Sequence, residues 1–318
     1  MGNPTSFRAV YKHVEAQEID VDIYLPFEHA VSSSKCPVVI NIHGGAFMLG
    51  SSKMINMDQV SDCLSRGWIV LGPNHRLCPQ VNLLEGPIQD CRDLLAWVHQ
   101  GGLATAIRDL ASSSLVPDLD HVFAFGTSSG GHLSLCLGFE VPRPVAGVYD
   151  MYGPCNFDDG FWTTKLPNMK LPPGLTESFM NKVFDEDPVP ITGGVSLEGQ
   201  ATGPPDFSDP RQAYALTQLA NGSVLDVIFP SKDWRKVDPA LNIGPSFPPT
   251  FIVHGMEDTK VPIHLSRKLF KDLKEQNIKC EMVEVPGEEH TFAAKMEVGS
   301  VTWQLQQQGF DFLESLIH

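Results

Sequence analysis

Three observations predict an α/β fold with a mostly parallel central sheet. Near-continuous apolar runs alternate with helical spacings through most of the chain. The pentapeptide Gly126-Thr127-Ser128-Ser129-Gly130 stands between a strand-like and a helix-like segment, and one long proline-rich stretch interrupts the alternation. With 318 residues, 42% hydrophobic and 19% charged, the chain can bury the large core such a fold needs.

In chain order, 7–12 and 19–26 alternate with period two, as expected of an antiparallel hairpin with one wet face. Residues 37–43 and 68–72 are almost wholly apolar, the mark of central parallel strands covered on both sides. Ile88, Cys91, Leu94, Leu95 and Val98 recur at helical spacing over 88–98. A strand at 121–125 precedes the pentapeptide, an apolar helix starts at Gly130, and 145–152 is a further strand. Residues 154–248 then hold 13 of the 25 prolines and no strong strand, with helical patterns at 174–186 and 209–220. So long an interruption inside an α/β domain is usually a cap or lid. Alternation resumes with a strand at 250–255, a helix at 263–276, a strand at 280–285 and a helix at 299–317. The expected organisation is a core of 1–153 and 249–318, with 154–248 inserted as a cap.

Charge and cysteine use bound the partners. A formal net charge of -15 argues against nucleic acid and anionic membrane surfaces. Seven cysteines, with no CxxC pair, read as buried reduced thiols; no metal site is expected, and the expected compartment is the cytoplasm. No run reaches the ~18 apolar residues of a membrane span. Met1-Gly2-Asn3-Pro4-Thr5-Ser6 fits the loose myristoylation pattern, but no polybasic patch follows, so stable membrane anchoring is not expected. Asn221-Gly222-Ser223 is a glycosylation sequon expected to be silent without a secretory signal. The partner expectation is a small hydrophobic molecule, with a homodimer left open.

The pentapeptide carries the chemistry. A Gly-x-Ser-x-Gly wedged between strand and helix is a nucleophile elbow, a turn so tight that it strains the serine and pushes its hydroxyl out of the sheet top. A lone hydroxyl is a weak nucleophile, so a base, an orienting acid and an oxyanion site should accompany it. His290 stands directly after the last strand. The loop after the preceding strand offers Asp258, with Glu257 beside it; Glu288 and Glu289 adjoin His290. Serine, acid and histidine in that order, each at a strand's carboxyl end, converge on one sheet edge. His43-Gly44-Gly45-Ala46-Phe47 follows an earlier strand, and its glycines, with the N–H of Ser129, would offer donors to an oxygen that becomes negative. His43 reads as a support for its loop, and His132, His254 and His264 as packing or surface residues.

Together His43-Gly44-Gly45-Ala46-Phe47, Asn74-His75-Arg76-Leu77-Cys78-Pro79, Gly126-Thr127-Ser128-Ser129-Gly130-Gly131, Gly255-Met256-Glu257-Asp258 and His290-Thr291-Phe292 resemble the hormone-sensitive-lipase-like α/β-hydrolases. The likeness runs from about residue 36 to the C-terminus, apart from 154–248, and looks closest to fungal members, several of which serve natural-product pathways. It implies the α/β-hydrolase fold, with a mostly parallel eight-stranded sheet flanked by helices, and cleavage of carboxylic esters without a cofactor. It also implies Ser128, Asp258 and His290 as triad, Asp258 being chosen over Glu257 by its place in the family loop, and Gly44, Gly45 and Ser129 as oxyanion hole. The departures are Ala46 for the family's third glycine, Ser129 where alanine is frequent, and an altered 74–80 segment. The roughly forty residues before His43 are too few for the N-terminal cap helices of many relatives, which puts the cap in 154–248.

The expected function is hydrolysis of a medium-sized hydrophobic carboxylic ester. The alternatives are the same triad acting on a thioester, amide or peptide, a pathway cyclase, lyase or acyltransferase, and a non-catalytic receptor. Aromatic residues of the insertion, among them Phe157, Trp162, Phe179, Phe229 and Trp234, either line the pocket or fasten the cap.

Overall fold

In the computed structural model the described residues are 6–31, 35–194 and 205–317. The myristoylation-like segment therefore lies, but for Ser6, outside them, as do residues 195–204 of the insertion. The strands are β1 (Ser6–Val14), β2 (Gln17–Tyr24), β3 (Lys35–Ile42), β4 (Ile69–Pro73), β5 (Val116–Thr127), β6 (Gly147–Met151), β7 (Thr250–Gly255) and β8 (Cys280–Val285). The helices are α1 (Met57–Ser65), α2 (Gln89–His99), α3 (Gly102–Ala111), α4 (Ser129–Leu135), α5 (Glu177–Met180), α6 (Pro210–Asn221), α7 (Val224–Ile228), α8 (His264–Glu275) and α9 (Val301–Glu314).

All eight strands form one sheet in the order β1-β2-β4-β3-β5-β6-β7-β8. β1, β2 and β4 pair antiparallel; β3 through β8 are mutually parallel. This is the mostly parallel eight-stranded sheet of the α/β-hydrolase fold. The continuous apolar runs conceal a period of two. Val38, Ile40 and Ile42 of β3 pack with Leu94 and Leu95 of α2 on one face. Val39, with Phe123 and Phe125 of β5, packs with Val60 and Leu64 of α1 and with Phe310 and Leu313 of α9 on the other. Because both faces are covered, neither set can be polar.

The period-two segments form β1 and β2 as expected, but α1 and α3 lie where sequence periodicity marked no helix. The 174–186 pattern becomes a single turn, α5, running into a 3-10 segment at Asn181–Asp185. The 209–220 pattern is α6, started by the Asp209 side chain accepting from the Arg211 N–H at 2.9 Å with Pro210 in the first turn.

One buried side chain fastens the segment between β6 and β7 to the sheet top. Arg211 of α6 is 2% exposed and donates to the carbonyls of Met48 (2.8 Å) and Cys78 (2.7 Å), to Gln80 Oε1 (2.7 Å) and to Glu186. Gly50 and Gly193 exchange both backbone hydrogen bonds beside it. The loop that follows β3 is thereby held from above.

Candidate active site

At the end of β5 the chain turns through Ser128 at φ 50°, ψ -120°, and enters α4 at once. A Cβ on Gly126 would meet the Gly130 carbonyl carbon at 2.4 Å, and one on Gly130 would meet the Ile42 oxygen at 2.0 Å. Both contacts are with backbone, which cannot yield cheaply, so the two glycines follow from the closeness of β3 and the elbow. Ser128 is fixed by its N–H donating to the Met151 carbonyl at 2.9 Å.

The three sequence-predicted residues meet above the sheet. His290 Nε2 lies 2.9 Å from Ser128 Oγ, and His290 Nδ1 lies 2.6 Å from Asp258 Oδ2. All three are buried. The rival acids are engaged elsewhere: Glu288 accepts from Thr302, Glu289 accepts from Thr259, and Glu257 is exposed.

His254 has a place that the sequence reading missed. That reading set it aside as a packing or surface residue, yet it is fully buried and its Nε2 lies 3.1 Å from Asp258 Oδ2 and 2.7 Å from the Val261 carbonyl. Both neighbours only accept, so Nε2 carries the proton, and Nδ1 faces the Ser266 hydroxyl at 2.8 Å. Asp258 Oδ1 meanwhile accepts two backbone N–H groups, at 2.8 and 2.9 Å. Burial opposes charge on this carboxyl, but the two histidines outweigh it and hold Asp258 well below the usual carboxylate range. The only advance signal was a histidine at the last buried position of a strand, four residues before the acid. His132 and His264 do behave as expected: His132 is packed against Phe47 and Phe157, and His264 is exposed.

The loop after β3 departs from the expected oxyanion set. Gly45 and Ser129 border the cavity beside Ser128, as do Ala46, Phe47 and Leu49 of the loop, whereas Gly44 is not on the wall. Gly44 turns its carbonyl to His43 Nδ1 at 2.7 Å, and the left-handed turn begins only at Gly45 (φ 127°), continuing through Ala46 (54°) and Phe47 (65°). Among the described residues, the N–H groups of Gly44, Gly45, Ala46 and Ser129 alike have no acceptor in the protein, and of these four residues Gly44 alone is off the cavity wall. His43 stacks on His75 with ring centroids 4.6 Å apart. Burial, and then the neighbouring His75, lower the His43 pKa to about 3, so it is neutral and braces the loop without acid–base work.

The cavity has a volume of about 280 Å³, and its lining includes Leu216, Leu219, Val224 and Leu225 of the segment between β6 and β7. Of the aromatic candidates Trp162 lines it; Phe157, Phe229 and Trp234 instead pack on one another.

Beneath the elbow, Asp150 is fully buried, with Oδ1 accepting the Gly153 N–H at 2.9 Å and Oδ2 without a hydrogen-bond partner. Burial raises its pKa to about 7, partly countered by the Gly153 bond. The folded protein thus keeps a proton that the unfolded chain releases near its ordinary value. Stability from this group is full below that ordinary value, falls as pH rises to about 7, and is flat above. Asp150→Asn should remove that decline. The melting temperature of the variant relative to wild type should rise between about pH 5 and about pH 8; an unchanged difference would show that Asp150 is ionised in the fold.

Sheet order, elbow and strand-end loops together define the α/β-hydrolase fold. The comparisons agree: the BD-FAE family matches residues 21–165 and the prolyl oligopeptidase family residues 225–316. The chain has an α/β-hydrolase, carboxylesterase-like fold. Among solved structures, a Staphylococcus aureus protein of unknown function superposes with a TM-score of 0.69 at 20% identity, covering 99% of this chain and 100% of its own. The propionate-bound esterase Est2 of Thermogutta terrifontis superposes with a TM-score of 0.61 at 17% identity, covering 98% of this chain and 93% of its own. Curated relatives are fungal: the non-reducing polyketide synthase Preu6 of Preussia isomera is 32% identical over 95% of this chain, and the methylphloroacetophenone synthase of Cladonia uncialis 26% over 96%. The chain spans 14% and 13% of the length of these two relatives. Among the described residues no helix is long and apolar enough to cross a membrane.

Proposed function

We propose that this chain is a serine hydrolase that cleaves a carboxylic ester of a medium-sized hydrophobic substrate through an acyl-enzyme. The observation that carries the reading is the unbroken hydrogen-bond chain Ser128–His290–Asp258, opening on a mostly apolar cavity. His290 takes the Ser128 proton as Oγ attacks the carbonyl carbon, and Asp258 stabilises the imidazolium. The oxyanion falls to the unengaged N–H groups of Gly45, Ala46 and Ser129, each donor being worth ~3–4 kcal/mol in such sites. The carbon–oxygen bond to the alcohol breaks and the alcohol leaves with the proton from His290. Water then gives a proton to His290, attacks the acyl carbon, and releases the acid as Oγ recovers its proton. Residues 154–248 act as the cap that holds the acyl chain.

A second reading is favoured by one observation: a relative matching nearly the whole chain, Preu6, is a non-reducing polyketide synthase. On that reading the scissile bond is a thioester of a pathway acyl group, cut by the same steps with a thiol as leaving group. Both readings predict that a fluorophosphonate probe labels Ser128, and that product acid formed in isotopically labelled water carries one labelled oxygen. An unlabelled or cyclised product would instead indicate a cyclase or acyltransferase.

A further inference from the structure

The cavity wall is not uniformly apolar. Lys260, Glu289 and Lys295 all line it, beside Ser128 and His290. In a chain of net charge -15, two cations facing one carboxylate is a local reversal of sign. The carboxylate pairs with one of them, and only at long range. Glu289 accepts from the N–H and hydroxyl of Thr259 at 3.3 and 3.1 Å, while Lys260 Nζ stays 3.9 Å from it and donates to Thr259 Oγ1 at 3.2 Å. Lys295 is exposed and forms no ion pair among the described residues. Lys260, with Trp162, Leu219 and Val224, also borders a second small dent.

The side of the cavity that takes the leaving group is set by His290. Its Nε2 must deliver a proton to the departing atom, so the leaving group lies against His290. Lys260 is two residues beyond Asp258 and Lys295 five beyond His290, on the two loops that carry the acid and the base. The oxyanion donors and the leucine-rich wall come from other elements. We assign the lysine-bearing loops to the leaving group on that ground, with Lys260 also bordering Leu219 and Val224 of the apolar wall.

Resting on the hydrolase reading above, we propose that the natural leaving group is an alcohol or thiol bearing an anion, a phosphate or a carboxylate, held by Lys260 and Lys295. A lysine suits this task because a flexible apolar stem lets a charged head follow a ligand at a cavity rim. The neutral body of the substrate still supplies most of the binding, and the lysines supply discrimination.

Matched substrate pairs test this. S-hexanoyl pantetheine and S-hexanoyl phosphopantetheine differ by a phosphate on the leaving group. The hexanoyl ester of meta-hydroxybenzoate and of its methyl ester differ by a carboxylate on the leaving group. Para-nitrophenyl hexanoate and mono-para-nitrophenyl adipate differ by a carboxylate on the acyl end. The readout is the ratio of kcat/KM, anionic over neutral, within each pair for wild type, Lys260→Met, Lys295→Met and the double variant. Because each ratio is taken within one variant, any general loss of activity cancels.

Wild type should favour the anionic member of at least one leaving-group pair by about fivefold or more, a modest value in keeping with partly exposed charges. That ratio should fall toward about one in the double variant and shrink at about 0.5 M salt, where such attraction is screened. The phosphate and carboxylate pairs tell which anion is preferred. Neutral substrates cleaved with a ratio near one, or a ratio that survives the double substitution, would overturn the inference and leave the hydrolase reading intact. A preference confined to the adipate would overturn the leaving-group placement. No Ser128-dependent cleavage of any of the six would sink the hydrolase reading and the inference with it.

Discussion

Ser128→Ala should lower turnover of a hydrophobic ester by at least ~10³-fold without unfolding the protein. The hydroxyl is placed to attack, with His290 Nε2 2.9 Å from it. What survives its removal is the oxyanion site and substrate binding, which in triad hydrolases leave a residual acceleration of ~10³–10⁴ over water. Alanine occupies the same strained backbone as serine, and the backbone hydrogen bond from residue 128 to the Met151 carbonyl is kept, so the melting temperature should barely move. Wild-type turnover in this variant, with an unchanged thermal melt, would refute the nucleophile assignment.

Asp258→Asn should cost both activity and stability, which a triad seen only as three residues would not suggest. Oδ2 serves the N–H groups of His290 and His254, and Oδ1 serves the backbone N–H groups of residues 260 and 261. An amide presents one acceptor and one donor, so whichever way it turns, its NH₂ faces two buried donors. If it faces the histidines, His290 loses the partner that fixes its tautomer, and kcat should fall by ~10³–10⁴. If it faces the loop, two backbone donors are orphaned, at about 1–3 kcal/mol each. The expected result is a large loss of kcat/KM together with a melting temperature several degrees lower. A variant that loses activity while keeping its full melting temperature would show that the His254 contact contributes nothing to the fold.

The parts legible in sequence were those set by local rules. The β3 and β5 runs read as buried parallel strands because both faces are covered, and period two in β1 and β2 marked the antiparallel edge. Ser128, Asp258 and His290 were legible because parallel strands deliver the loops at their carboxyl ends to one edge, whatever the sequence distance. Their mutual hydrogen bonds are what that topology allows.

The rest was not legible, for physical reasons that differ from place to place. α1 and α3 were missed because short amphipathic segments between strands carry too few turns for a clear period. Gly44 was expected on the oxyanion wall because a glycine pair suggests two free N–H groups. Where the backbone turns decides which N–H groups reach the cavity, and it turns at Gly45, leaving that place to Ala46. Arg211 reads as an ordinary surface arginine of a helix, yet four partners in three separate segments bury it. His254 gained its position only because the acid loop folds back over the end of β7.

What the sequence by itself determined was the chemistry class: a strained serine between strand and helix, with an acid and a histidine in the order that a parallel sheet brings together. Tertiary structure alone decided which residues of the loop after β3 border the cavity, that a second histidine shares the acid, and that two lysines line the cavity. Backbone periodicity is written into each segment locally. Contacts between loops depend on how far each one turns after leaving its strand, and no single segment encodes that.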